Sequence, residues 1–192
     1  VQEIRGEDWY ADDLGAAHWS DTTFVDVDLS EATTAGAVFE RCSFQRCRFN
    51  ASTHHATAFV ACDFALCNFF DATLEGCKLN GSVFERCTMR PLKVTGGQWR
   101  GVTIRGTNLS RLDLSGVDLR EADLSMSDLT DTVLAGAHLE LATLRETDLT
   151  GADLRGASLL GVDLTTTTLR RTHLDLAGAV HLAEQHGAVV EP

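Results

Sequence analysis

Cysteine and histidine are the residues of this chain best suited to hold a metal or attack a substrate, and there are six of the first and seven of the second. The cysteines stand at 42, 47, 62, 67, 77 and 87, so their separations are all multiples of five. Chance would place six residues in one column of a five-residue register about once in 3,000 arrangements, so the register explains their positions better than coordination does. They are expected to behave as small buried hydrophobes with free thiols. The adjacent His54 and His55 have no carboxylate or second histidine at zinc spacing, and in/out alternation points them apart. Glycines at 96, 101 and 106 and at 151, 156 and 161 are spaced like those of a phosphate loop but lack the Lys-Ser/Thr that follows one. No nucleophile, base and orienting group come together. The expectation is a protein without enzymatic activity, catalytic residue, metal ligand or cofactor.

The register that absorbs these residues runs through nearly the whole chain. Every fifth position from Ile4 to Leu174 gives 35 sites, of which 33 are apolar, with fourteen consecutive leucines from Leu109 onward. Thr34 and His54 are the two exceptions. Two residues before each centre, 30 of 32 positions from Ala17 to Thr172 are Ala, Cys, Ser, Thr, Gly or Val, with Leu92 and Leu112 breaking the rule. That second column is therefore buried and narrow. A period of five belongs neither to a helix nor to a strand, so the chain must turn at a fixed interval.

This pattern resembles the pentapeptide-repeat family, whose A(D/N)LXX consensus is matched at Ala122-Asp123-Leu124 and Ala152-Asp153-Leu154. The resemblance implies an all-β fold, a right-handed quadrilateral parallel β-helix in which four pentapeptides make one 20-residue coil. About nine coils stacked roughly 4.8 Å apart would form a rod on the order of 42 Å long. Residues 20 apart then lie above one another, which predicts an inward ladder of Phe24, Phe44, Phe64 and Phe84 and a buried Thr34–His54 pair in which the hydroxyl satisfies the imidazole. The repeat is expected to occupy residues 1–174. Beyond it, 175–192 reads as a short capping or dimerisation helix and tail, with Asp175 as N-cap, Leu176, Val180 and Ala183 on one face and Gly187 at the stop.

With catalysis set aside, function must reside on the surface. The chain carries a net charge of −12, which argues against direct nucleic-acid binding, since phosphate contacts rest on clustered Lys and Arg. No apolar run is long enough to cross a bilayer, and the acidic start lacks the features of a secretory signal, so a cytoplasmic location is expected. Residues 1–31 hold nine acids and one base, 32–111 five acids and ten bases, and 112–174 eleven acids and five bases. In the last of these segments the register turns Asp113, Asp118, Glu121, Asp123, Asp128, Asp131, Asp148 and Asp153 outward.

Within the family, the segments MRPLKVTGGQW, IRGTNLSRLDLSGVDLREADL and AVHLAEQHGAVV look like the fluoroquinolone-resistance, gyrase-interacting type represented by MfpA and Qnr proteins. That resemblance implies a homodimer joined at its C-terminal end through Leu174, Leu176, Val180 and Leu182, with outward Leu141 and Leu160 adding apolar contact. It implies DNA gyrase as protein partner, met by the acidic residues through mimicry of DNA, with no contact to nucleic acid or membrane. A scaffold of the same fold with an unrelated partner is the alternative. Qnr proteins carry loops that interrupt the coils, and this chain has no insertion between Ile4 and Leu174.

Overall fold

The computed structural model describes residues 2–191. Each five-residue step forms one side of a square coil, and the parallel register joins residue i to residue i+20 along most of the rod, from Gln2↔Thr22 to Asp153↔His173. The first side, carrying Ile4 and every twentieth residue after it, is a six-stranded parallel sheet running from Gln2–Arg5 to Thr103–Ile104. The third side holds a four-stranded sheet from Thr33–Ala35 to Leu92–Thr95, and the fourth a three-stranded sheet from His18–Ser20 to Ala58–Val60. The second side, and the later coils, pair through isolated bridges. The architecture is thus a β-solenoid with a single helix, α1 (Leu176–Gln185), at its C-terminal end.

The core follows from the two inward columns. Phe24, Phe44, Phe64 and Phe84 stack face to face with centroids 4.6, 4.8 and 4.6 Å apart, and each is at most 3% exposed. Burial of this kind contributes roughly 1.5–3 kcal/mol per large side chain before chain entropy is subtracted. In the narrow column, thiols and hydroxyls tie successive coils. Cys62 donates to the Phe39 carbonyl at 3.3 Å and Cys77 to the His54 carbonyl at 3.2 Å, while Ser82 and Thr132 make the same bond to Phe59 at 2.8 Å and Leu109 at 2.9 Å. Cysteine is here a substitute for Ser or Thr, which is why all six share one column.

Thr34 and His54 meet inside the third side. Thr34 Oγ1 lies 2.7 Å from His54 Nδ1, and Ser52 Oγ lies 3.0 Å from His54 Nε2. Because the Ser52 hydroxyl donates to the Phe49 carbonyl, it accepts from Nε2–H, which leaves Nδ1 to accept from Thr34. The imidazole is neutral and fully bonded, and burial lowers its pKa to about 4.

The ladder is open briefly between 143–146 and 163–166, and at one coil boundary over half its circuit. Among the described residues, no hydrogen bond joins 86–96 to 106–116, although pairing is intact before it at Val83↔Thr103 and after it at Gln98↔Asp118. Leu92 and Leu112, the two residues that break the small-residue column, are 20 apart and face each other across this gap. Both are buried, at 5% and 4%. Two leucines in register stand where Ala or Ser fits elsewhere, and bulk of that kind is expected to overfill a corner and hold coils apart. Pro91 adds a position with no N–H to donate.

Candidate functional site: the outer surface

Asp at the position before each centre has a structural task. Its carboxylate accepts from the backbone N–H two residues on, as in Asp113 to Ser115 (3.0 Å), Asp128 to Thr130 (2.9 Å) and Asp148 to Thr150 (2.9 Å). These are Asx turns that fix the bend between sides. The expected acidic residues consequently distribute around the whole square. Asp123 lies on the first side, Asp128 and Asp148 on the second, Asp113 and Asp153 on the third, Asp118 on the fourth, and Glu121 and Asp131 at corners.

Their charges are unequal. Arg120 neutralises Asp118 at 2.6 Å and Arg155 neutralises Asp153 at 2.7 Å, and the paired guanidinium holds each carboxyl below its ordinary range, Asp153 at about 2. Arg100 meets Glu121, Arg105 lies 3.4 Å from Asp123, and Arg111 reaches Asp131 only at 3.8 Å. Asp128 and Asp148, by contrast, are bridged neighbours in adjacent coils, and neither has a basic group within ion-pair distance among the described residues. Like charges stacked in this way repel, and the turn bonds to Thr130 and Thr150, the second of which holds the Asp148 carboxyl below its ordinary range, offset that repulsion.

At the other end of the rod part of the acidic excess is cancelled. Asp21, Asp26 and Asp28 each meet an arginine of the next coil, Arg41, Arg46 and Arg48, at 2.8, 2.7 and 2.6 Å. Along the second side the outward column therefore changes from carboxylate to Arg48, Asn68, Thr88 and Asn108 before becoming acidic again at Asp128. Two short acidic faces remain, one at Asp128 and Asp148 toward the C-terminal end and one at the N-terminal end, where Glu7, Asp8, Asp12 and Asp13 have no base within ion-pair distance among the described residues.

That end is closed by α1. Asp175 accepts from Gly178 N–H at 2.9 Å as N-cap and from Gly156 N–H at 2.8 Å on the coil below. The stripe read from sequence is not the packed one, for Leu176 is 81% exposed. The face laid on the last coil carries Gly178, His181, Leu182 and Gln185. Gln185 accepts from Leu164 N–H at 3.0 Å and donates to the Val162 carbonyl, the two groups that a further coil would have paired. An open solenoid end presents polar backbone as well as core, so the helix must bring amide and imidazole groups to it. Leu174 and Leu182 pack against the core, while Leu176 and Val180 do not; Leu141 and Leu160 are exposed nearby, at 61% and 75%.

No helix is long and apolar enough to cross a membrane, and no group of three or more His, Cys, Asp or Glu among the described residues is placed to hold a metal ion. No curated protein matches in sequence. In structure the chain is similar to HetL, a pentapeptide repeat protein involved in heterocyst differentiation regulation from the cyanobacterium Nostoc sp. strain PCC 7120 (20% identity, 88% of each chain, TM-score 0.60). It is also similar to a trypsin-treated form of QnrB1, a plasmid-mediated fluoroquinolone resistance protein (18% identity, 100% of this chain and 98% of that one, TM-score 0.50). At such identities the likeness is one of fold. The model of pentapeptide repeats (8 copies) matches residues 14–52, 100–136 and 132–171, and that of the pentapeptide repeat region matches 37–114. With its unbroken register and square parallel coils, the chain belongs to the pentapeptide-repeat family.

Proposed function

We propose that this chain is a DNA-mimicking binding protein that docks on DNA gyrase, a type II topoisomerase, and modulates or protects it, giving resistance to fluoroquinolones or natural gyrase poisons. The observation that carries the reading is the stacked pair Asp128 and Asp148 beside Asp131. The stacked pair has no base within ion-pair distance among the described residues, Asp131 has one only at 3.8 Å, and all three are mounted on a regular rod where acids such as Asp118 and Asp153 are paired. Fixed carboxylates at coil spacing can stand in for phosphates on a basic protein surface. The homodimer implied by the gyrase-interacting type would use Leu176 and Val180, which the capping role leaves outward, with Leu160 alongside. It would work without catalysis, in the cytoplasm.

Supercoiling by purified gyrase, with and without a quinolone and across a salt series, tests this. The wild-type protein is expected to inhibit supercoiling or reduce drug-induced cleavage, with the effect weakening as salt rises. Reversal of Asp128, Asp131 and Asp148 to Lys should abolish it, whereas reversal of Asp118 and Asp153, already neutralised, should change it less than threefold or so. No effect of the wild-type protein at micromolar concentration would eliminate gyrase as the partner. The second reading, a scaffold for an unrelated partner, is favoured by the higher structural similarity to HetL, whose described role concerns differentiation.

A further inference from the structure

The open coil boundary forms a cleft that includes Thr88 and Asn108 of the second side, one coil before the acidic pair, and that is lined by arginine more than by carboxylate. Cys87, Thr88, Met89, Arg90, Pro91 and Asn108 line a hollow of about 540 Å³. A second hollow, of about 450 Å³, meets it at Cys87 and Asn108 and extends past Arg86 and Arg105. Three features bear on what it would accept.

The first is hydrogen bonding. Met89 N–H would pair with the Asn108 carbonyl, and Asn108 N–H with the Cys87 carbonyl, if this boundary resembled the one below it, where Phe69 N–H meets the Thr88 carbonyl at 2.8 Å and Thr88 N–H meets the Cys67 carbonyl at 3.0 Å. Neither bond forms here. An unpaired strand edge of this kind is a template for an added extended segment. The second is charge. Arg90 has no carboxylate within ion-pair distance among the described residues, Arg86 reaches Glu85 only at 3.9 Å, and Arg105 reaches Asp123 at 3.4 Å. Glu85 is the one acid among the lining residues. The third is apolar surface. Phe70 and Leu66, one coil before Arg90 and Arg86, are 51% and 53% exposed, and Met126 on the far side is 46% exposed.

We propose that the gap between 86–96 and 106–116 is a binding cleft for a short extended peptide segment that alternates carboxylate and apolar side chains. Its backbone would pair with the open edge, its carboxylates would meet Arg86 and Arg90, and its apolar side chains would cover Phe70 and Leu66. The acidic rod and the basic cleft would then bind different partners, so this inference stands apart from the gyrase reading.

The test uses the full chain and a capped hexapeptide of alternating Glu and Val. Binding is followed by calorimetry and by the rate at which Cys87, alone among the cysteines in not being buried, is alkylated. Saturable binding that slows Cys87 alkylation is expected. Arg86→Glu with Arg90→Glu, both on the surface, should weaken it at least about tenfold. Leu92→Ala with Leu112→Ala, which removes the wedge, should also abolish binding while the circular dichroism spectrum is retained. Absence of peptide binding, equal binding of a Lys-Val peptide, or undiminished binding by the double arginine variant would overturn the proposal. So would protection of Cys87 by inorganic phosphate alone, which would make the cleft a simple anion site.

Discussion

His54 shows how one residue's environment sets a measurable property. Its ring bonds at both nitrogens to hydroxyls, and burial lowers its pKa from 6.5 to about 4. The unfolded chain binds a proton there below about pH 6.5 and the folded chain does not, so the contribution to stability is complete above pH 6.5 and is lost as pH falls toward 4. The shift corresponds to about 3 kcal/mol. Thermal melts should therefore show a decline in Tm between pH 6.5 and 4 that a His54→Leu variant lacks, although that variant starts lower because Thr34 and Ser52 lose their partner. The pairing of Thr34 with His54 was legible from two polar interruptions 20 residues apart. The contribution of Ser52, and of Thr57, whose hydroxyl lies 2.7 Å from that of Thr34, was not, because each looks like an ordinary member of the small column.

The element whose reading changed most is α1. A hydrophobic pattern located the helix, its N-cap and one apolar face, yet it did not show which face packs on the last coil, since apolar periodicity carries no information about unpaired backbone at the end of a solenoid. Gln185 completes the last coil, and this gives a direct expectation. Gln185→Leu keeps much of the volume but strands Leu164 N–H and leaves the Val162 carbonyl to His181 alone, at a cost of about 1–3 kcal/mol. Chemical denaturation should register that loss. If Leu176 and Val180 form the dimer contact, the same variant should leave the association constant of the folded protein unchanged.

At the scale of the whole molecule, the rod is a chain of coil-to-coil interfaces rather than one uniform body. Most are closed by a full circuit of backbone bonds, and the boundary at 86–96 is closed by about half. Native-state hydrogen exchange should find the amides of Met89 and Asn108 at least about tenfold less protected than those of Phe69 and Asp128, which bond to the neighbouring coil. Equal protection would mean that the boundary closes in solution and would remove the basis for the cleft. The cause was present in the sequence as Leu92 and Leu112, the two oversized members of an otherwise small column. Read one at a time they are tolerable exceptions. Only the 20-residue register, which stacks them, makes them a wedge.

The sequence by itself determined the repeat, because a five-residue period sustained over 35 steps makes the chain turn at a fixed interval and carries the family resemblance that implied the fold, and it determined that the cysteines are packing residues. It also located the acidic segments. Tertiary structure decided which charges survive. Pairing across coils and along turns cancels Asp21, Asp26, Asp28, Asp118 and Asp153 and leaves Asp128 and Asp148 without a close base. Whether an arginine reaches a carboxylate depends on the coil, side and corner each occupies, and a one-dimensional charge count holds none of that geometry.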